Sequence, residues 1–140
     1  MQNNDNVSMV QRGLVDETVW RASLAGNALG LVQRIRQELL EQVPDLAEKF
    51  NAGQAKYFGY RRGQASDAVY IYIQKKQLVI DLRLSRQFEA DLRRAGFTVE
   101  YRENFQGVAG WLTGWRVPLD WQDIGEITKW LRCALMLDHG

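Results

Sequence analysis

The sequence AVYIYIQKKQLVIDLRL, at residues 68–84, decides the fold because its aliphatic residues recur at every second position. A period of two is typical of β-strands, in which successive side chains point to opposite faces of a sheet. The polar residues 74–77 interrupt this pattern over a length that suits a hairpin turn. The stretch therefore predicts two antiparallel strands, residues 68–74 and 77–84, with their aliphatic faces toward the core.

Further stretches share the two-residue period. They are residues 56–62, 97–103 and 111–119. In the last stretch, Trp115, Val117 and Leu119 are expected on one face and Arg116 on the other, since side chains alternate along a strand. Pro118 indicates the end of this strand or a sheet edge. The sequence thus predicts a central sheet of about five strands.

The parts between these strands repeat their apolar residues every three or four positions, as amphipathic helices do. One helix is predicted from residue 28 to 43, with one more helical turn at residues 45–50 after the helix-breaking Pro44. Another runs from a cap at Ser85 to Gly96, and Asp120 is expected to cap the last helix. The resulting order, α-β-β-β-α-β-β-α, is typical of an α+β fold with helices on one face of the sheet.

The domain organisation follows from the same patterns. Residues 1–27 are expected to form a flexible or weakly helical segment, with Asp16 as the cap of a short helix that carries Trp20. Residues 28–140 are expected to form a single α+β domain, which is an ordinary size for one hydrophobic core.

The composition limits the class of protein. Of the 140 residues, 46% are hydrophobic and 25% are charged, a globular balance that excludes a wholly disordered chain. The formal net charge is +1, so no overall field draws the chain to nucleic acid or to anionic membranes. Any binding of nucleic acid must therefore depend on a local cluster of basic side chains.

Several kinds of site are excluded or disfavoured. Cys133 is the only cysteine, which excludes an internal disulfide and a zinc site built on paired cysteines, and favours a cytoplasmic location. The only histidine, His139, lies beside the C-terminus, which disfavours a histidine-based catalytic triad or metal cluster. No phosphate-binding glycine motif, signal peptide or long apolar run is present. The sequence predicts no cofactor, no metal and no membrane partner.

The sheet face opposite the aliphatic one is the main candidate site. Its predicted residues, with two arginines at the hairpin ends, are Tyr70, Tyr72, Arg83, Arg102, Arg116, Arg61 and Arg62. Aromatic rings among guanidinium groups on an open sheet can stack bases and neutralise phosphates. The alternative is that tyrosine and arginine are simply good amphipathic strand residues, or that the N-terminal segment covers them.

The C-terminal half is rich in tryptophan. Trp111, Trp115, Trp121 and Trp130 are expected to pack the last strand against the last helix, because tryptophan most often serves core packing. Alternatively, Trp111, Trp115 and Trp121 line a pocket or a partner surface. That alternative predicts an oligomerisation or regulatory domain, with another protein, another domain or a second copy of the chain as partner.

A third hypothesis uses the acidic residues of the predicted strands. Asp67, or Asp81 with Glu100, would hold a divalent cation in a small metal-dependent hydrolase, because hard cations bind carboxylate oxygens. Acidic residues on a strand are more commonly solvated or paired with arginine. The leading hypothesis is accordingly a non-enzymatic binding module, with nucleic acid as its expected ligand.

A resemblance extends over about residues 29–137. The motifs KYFGYRR at residues 56–62 and QKKQLVIDL at residues 74–82, with the terminal helix, resemble a prokaryotic group called the domain of unknown function 5655 family. Residues 104–115 depart from its pattern. The resemblance implies a bacterial α+β module that often accompanies other domains, including nucleic-acid-processing ones, and it supplies no active-site residue.

Overall fold

The computed structural model describes residues 13–24, 26–105 and 108–137. Its helices are α1 (Glu17–Arg21), α2 (Gly26–Gln42), α3 (Gln87–Arg94) and α4 (Ile124–Met136). Its strands are β1 (Leu46–Asn51), β2 (Tyr57–Arg62), β3 (Val69–Ile73), β4 (Gln77–Leu82), β5 (Glu100–Phe105) and β6 (Val108–Pro118). The predicted α+β class is confirmed. None of the helices in these ranges has the length and apolar character needed to cross a membrane.

The strands form one antiparallel sheet in the order β1-β2-β3-β4-β6-β5. The predicted hairpin is confirmed, with Ile71 opposite Ile80 at its centre. β5 lies at one edge, where Glu100, Arg102 and Glu103 are exposed. Charged residues of this kind discourage the pairing of an edge strand with another chain.

β1 is a strand that the sequence analysis missed. The helical turn predicted at residues 45–50 is wrong, because this segment pairs with β2 and places Phe50 opposite Phe58. Asp45 turns the chain with a φ of 56°, and its carbonyl accepts a hydrogen bond from the Gly63 amide at 2.7 Å. Pairing across the sheet therefore outweighs the local helical preference.

Two predicted helix caps also need correction. The Ser85 side chain does not cap α3. The backbone carbonyl of Ser85 accepts a hydrogen bond from the Phe88 amide at 3.0 Å, and the helix begins at Gln87, two residues after Ser85. α4 is capped by Asp123, whose carboxylate accepts a hydrogen bond from the Glu126 amide at 3.1 Å, rather than by Asp120. In both cases a short turn precedes the helix and shifts its start.

The main hydrophobic core lies between the sheet and the helices. α2 packs against α4, and α4 packs against β2, β3 and β4. Residues 13–24, within the segment predicted as flexible or weakly helical, contain α1 and contribute Trp20 and Leu24 to this core. Trp20 is fully buried and meets the Phe58 ring edge-on at 5.5 Å.

A buried charge network ties this N-terminal part to the sheet. Glu48 of β1 accepts hydrogen bonds from Arg36 Nε at 2.9 and 3.1 Å, from the Tyr60 hydroxyl at 2.6 Å and from the Val15 amide at 3.1 Å. Arg36 also donates to Glu17 at 2.8 Å and to the Val15 carbonyl at 3.0 Å. Because Glu48 has donors on both oxygens, its burial is compensated.

A β-bulge divides β6 into two parts. Ile80 of β4 is opposite Trp115, but Leu82 is opposite Leu112, so β6 has one extra residue at this point. Gly114, with a φ of 80°, supplies the left-handed backbone that such a bulge favours. Leu112 and Trp115 therefore both belong to the core cluster, although they are three residues apart.

The bulge overturns one prediction about the tryptophans. Trp111 does not pack between the last strand and the last helix; its ring stacks on Tyr70, with centroids 5.3 Å apart. Tyr70 lies on the sheet face opposite Ile71 and the helices, as predicted. Trp111 is therefore buried on that second face, although the alternation of a regular strand would place it on the same face as Trp115.

Candidate functional site

The sheet face opposite α2 and α4 carries the candidate site, and we call it the open face. Alternation along β2, β3, β4, β6 and β5 assigns these residues to it: Tyr57, Tyr70, Tyr72, Val79, Asp81, Trp111, Thr113, Arg116 and Arg102. Aromatic side chains dominate one half of this face, and charged side chains dominate the other.

The aromatic half has a rigid floor and an accessible layer. Tyr70 and Trp111 are 8% and 1% exposed, and their stacked rings form the floor. Tyr57 and Tyr72 are half-buried, with ring centroids 5.3 Å apart, and Tyr57 also meets the Tyr70 ring edge-on at 5.7 Å. The tyrosine rings thus hold one another in fixed positions while parts of Tyr57 and Tyr72 stay in contact with solvent.

A cleft of about 1480 Å³ opens across the charged half. Its walls include Tyr72, Val79, Asp81, Arg102, Thr113 and Arg116. The Arg102 side chain is 52% exposed and lies 3.5 Å from the Glu100 carboxylate. Arg116 is exposed and has no hydrogen-bond or ion-pair partner within the described ranges. The cleft therefore brings a tyrosine ring, the exposed Arg116 side chain and the exposed Arg102 guanidinium, which pairs with Glu100, to one concave surface.

Asp81 is the unusual residue of the cleft. Only 5% of it is exposed, and its Oδ1 accepts a hydrogen bond from the Gly114 amide at 3.0 Å. Among the residues that the structure describes, the carboxylate has no second hydrogen bond and no ion pair. Burial raises the pKa of Asp81, and the Gly114 amide and the charge of Arg102 offset that rise in part. This carboxylate is thus buried without full compensation.

The neighbouring tyrosine responds to the same environment. Burial, and then the charge of Asp81, raise the pKa of Tyr72 to about 12. Its hydroxyl consequently stays protonated at physiological pH and can donate a hydrogen bond.

The other predicted arginines lie outside the cleft, although alternation along β2 places Arg61 on the open face with Tyr57. Arg61 lines a depression with Lys49 and Gly59, whereas Arg62 and Arg83 line a groove beside Leu135 of α4. The set predicted from the sequence is therefore divided among separate surfaces, and only Tyr72, Arg102 and Arg116 share the cleft.

Of the predicted pocket tryptophans, only Trp121 reaches a surface. Trp115 is 1% exposed and packs on Phe97 in the core, with centroids 4.7 Å apart. Trp121 is half-buried at the margin of the cleft, where its indole N–H donates to the Asp123 carbonyl at 2.7 Å. The buried Trp111 and Trp115 are therefore part of the framework and offer no surface to a partner.

Of the acidic residues in the hydrolase hypothesis, Asp67 lies apart, whereas Asp81 and Glu100 both line the cleft. Asp67 accepts a hydrogen bond from the Tyr70 hydroxyl at 2.9 Å and pairs with Lys49 at 2.7 Å, and Glu100 lies beside Arg102. Within the described part of the chain, no three His, Cys, Asp or Glu residues are grouped so that they could share a metal ion. His139 lies outside the described residues.

The thiol also lacks the setting of a reactive group. Cys133 is half-buried on α4, and burial raises its pKa. Reactive cysteines need the opposite shift, because the thiolate is the nucleophile.

Thr113 and Gly114 belong to the site but were not predicted for it. The signal that could have found them is the glycine inside a strand pattern, because an interior glycine often marks a bulge, and bulges are frequent next to functional sites. The Thr113 hydroxyl donates to the Glu100 carbonyl at 3.1 Å, so it holds β5 against β6 along the cleft wall.

Comparison of the chain with family models, with curated proteins and with solved structures gave no match. The resemblance to the domain of unknown function 5655 family therefore stays a prediction, and any inference about function depends on the geometry of the cleft.

Proposed function

We propose that the cleft on the open face binds single-stranded nucleic acid without catalysing a reaction on it. The observation that carries this proposal is the position of the half-buried Tyr72 ring beside the exposed Arg102 and Arg116 in one concave surface. Single-stranded nucleic acid presents unstacked bases that pack on aromatic rings and phosphates that pair with guanidinium groups.

The order of the strands supports a bound path across the sheet. Tyr72 lies on β3, and Val79 of β4 separates it from Arg116, since Val79 is opposite both residues in the register. Arg102 lies on β5 opposite Trp111, and therefore on the other side of the bulge from Arg116. A bound oligonucleotide that crosses β4 and then follows the cleft past the bulge would place a base on Tyr72 and its following phosphates on Arg116 and Arg102.

The charge of the cleft favours single strands over duplexes. Asp81 and Glu100 lie in the same walls as the arginines, so the cleft is not strongly positive. A duplex carries its phosphates densely and hides the faces of its bases, whereas base stacking supplies affinity that does not depend on net charge. We therefore expect stacking on Tyr72 to contribute at least as much as either arginine.

The test is a fluorescence anisotropy titration of the full chain with a labelled oligouridylate of about eight nucleotides, a length within the usual range for one small domain. Tyr72→Ala should weaken binding by about 1–3 kcal/mol, the measured range for one stacked base. Arg116→Gln should weaken it less. Arg83→Gln is the matched control, because it removes the same charge from the groove beside α4 and should leave the affinity unchanged.

Salt dependence gives an independent readout. If Arg102 and Arg116 each neutralise one phosphate, the slope of log K against log salt should be about −1.4 for a single strand. In Arg116→Gln the slope should be halved. Absence of binding of any single-stranded oligonucleotide at low salt, or equal effects of Arg83→Gln and Arg116→Gln, would refute the proposal.

A further inference from the structure

Asp81 has the features of a residue that recognises a ligand through hydrogen bonds. Asp81 is 5% exposed and lines the cleft, and its carboxylate has one hydrogen-bond donor among the residues that the structure describes, the Gly114 amide. A buried carboxylate normally accepts several hydrogen bonds or pairs with a cation, because an uncompensated buried charge costs several kcal/mol. A ligand that brings N–H donors into the cleft would supply the missing compensation.

The fold holds this carboxylate in place from behind. At the bulge, the amide of Gly114 points to Oδ1 of Asp81. A carboxylate has about four lone-pair positions, so one protein donor leaves most of its accepting capacity available to a ligand. The bulge thus fixes the orientation of Asp81 and leaves most of the acceptor positions of its carboxylate open to a ligand.

Tyr72 and Asp81 are placed to act on the same base. Tyr72 is opposite Val79, and Asp81 lies two residues further along β4 on the same face. Such diagonal neighbours are about 7–8 Å apart, within reach of one aromatic ring system. A base stacked on Tyr72 would therefore present its edge to Asp81.

The chemistry of the base edges selects one ligand. Guanine presents two adjacent donors on its Watson–Crick edge, N1–H and the 2-amino group, which match the two oxygens of a carboxylate. Uracil presents a single N–H between two carbonyls, and those carbonyls repel a carboxylate. Cytosine and adenine each offer one amino group beside an acceptor nitrogen.

We propose that Asp81 makes the cleft selective for guanine at the position that stacks on Tyr72. This assignment rests on the proposed binding of single-stranded nucleic acid and deepens it, since it names the base that is preferred. Asp81 accepts hydrogen bonds from N1–H and from the 2-amino group, while Arg116 and Arg102 contact the backbone.

The experiment compares labelled strands of about eight nucleotides. One is oligouridylate, the second carries two guanosines at its centre, and the third carries two inosines, which lack the 2-amino group. The guanosine strand should bind about 5-fold more tightly than oligouridylate, the lower end of the discrimination that a bidentate pair provides. The inosine strand should lose most of that gain, and this measurement needs no protein variant.

The variant Asp81→Asn should lower the guanosine-to-uridine affinity ratio to near one, because asparagine replaces one acceptor oxygen with a donor. Glu103→Gln is the matched control, since it also removes one negative charge, from an exposed residue of β5 outside the cleft walls, and should preserve the ratio.

The outcomes separate the two proposals. If all strands bind equally, or if Asp81→Asn preserves the ratio, the assignment of Asp81 is refuted while the binding function stands. If no strand binds at low salt, both are refuted.

Discussion

Each face of the sheet has a buried carboxylate, but the two carboxylates accept different numbers of hydrogen bonds. On the helix-covered face, Glu48 accepts hydrogen bonds from Arg36, from Tyr60 and from the Val15 amide. On the open face, Asp81 accepts one hydrogen bond among the residues that the structure describes, from the Gly114 amide. The comparison teaches that burial alone does not identify a functional acid. A saturated carboxylate stabilises the fold, whereas an unsaturated one in a cleft is available to a ligand.

The largest expected effect on the free energy of unfolding comes from replacing Glu48, the carboxylate that has donors on both oxygens. Glu48→Gln should destabilise the protein by about 3 kcal/mol, because it leaves the buried Arg36 guanidinium without its main counter-charge. Urea unfolding followed by tryptophan fluorescence measures the free energy of unfolding.

Glu17→Gln is the control for that measurement. Glu17 pairs with the same Arg36, but its side chain is 47% exposed, so its loss should cost under about 1 kcal/mol. Equal losses in the two variants would show that the buried network is not the stabilising element.

The next effect concerns the bulge that orients Asp81. Gly114→Ala should destabilise the protein by about 1–2 kcal/mol, since Gly114 has a φ of 80° and only the left-handed backbone, not a steric contact, opposes the new methyl group. It should also weaken the guanosine preference.

Gly30→Ala provides the contrast within the same protein. Gly30 lies inside α2 with open space around its Cβ position, so the substitution should stabilise by about 0.5–1 kcal/mol. If Gly114→Ala were equally stabilising, the bulge would not need a glycine. Thermal unfolding of both variants decides this.

The smallest expected effect on the free energy of unfolding is that of Asp81→Asn, which should stabilise the protein, whereas Glu48→Gln should destabilise it. Because burial raises the pKa of Asp81 above 3.8, the folded protein holds this proton over a pH window in which the unfolded chain has lost it. Asp81 therefore contributes stability that decreases as pH rises through that window. Asp81→Asn removes this cost and should stabilise the protein at neutral pH by about 0.5–1 kcal/mol.

The pH dependence of that gain is the decisive readout. It should vanish well below pH 3.8, where the wild-type Asp81 is protonated and neutral in both states. A loss of stability at neutral pH would instead show that Asp81 is a structural residue, as Glu48 is.

Much of the fold could be predicted from the sequence. The hairpin of β3 and β4 was found because Val69, Ile71, Leu78 and Ile80 recur at every second position, although Val79 between the last two is also aliphatic. β1 was missed because a charged residue, Glu48, occupies one of its core-facing positions and interrupts the apolar period. Its burial depends on Arg36, which is distant in sequence, so no local pattern could reveal it.

The candidate site was predicted less completely, for a related reason. Alternation correctly assigned Tyr72 and Arg116 to the face opposite the aliphatic residues. It could not show that Arg83 leaves this surface beyond the end of β4, or that the bulge at Gly114 moves Trp111 beneath Tyr70. Position along a strand is local, whereas convergence in a cleft depends on twist and register across the whole sheet.

The extra residue at Gly114 has a consequence for how β6 can change over time. It sets the strand segments on either side out of step, so that Trp111 and Thr113 lie on the open face while Trp115 and Val117 lie in the core. A deletion of one residue there would exchange inward and outward positions across the first segment at once. Ligand preference can therefore change at this point only through substitutions, because an insertion or deletion at the bulge would disrupt the packing of the hydrophobic core.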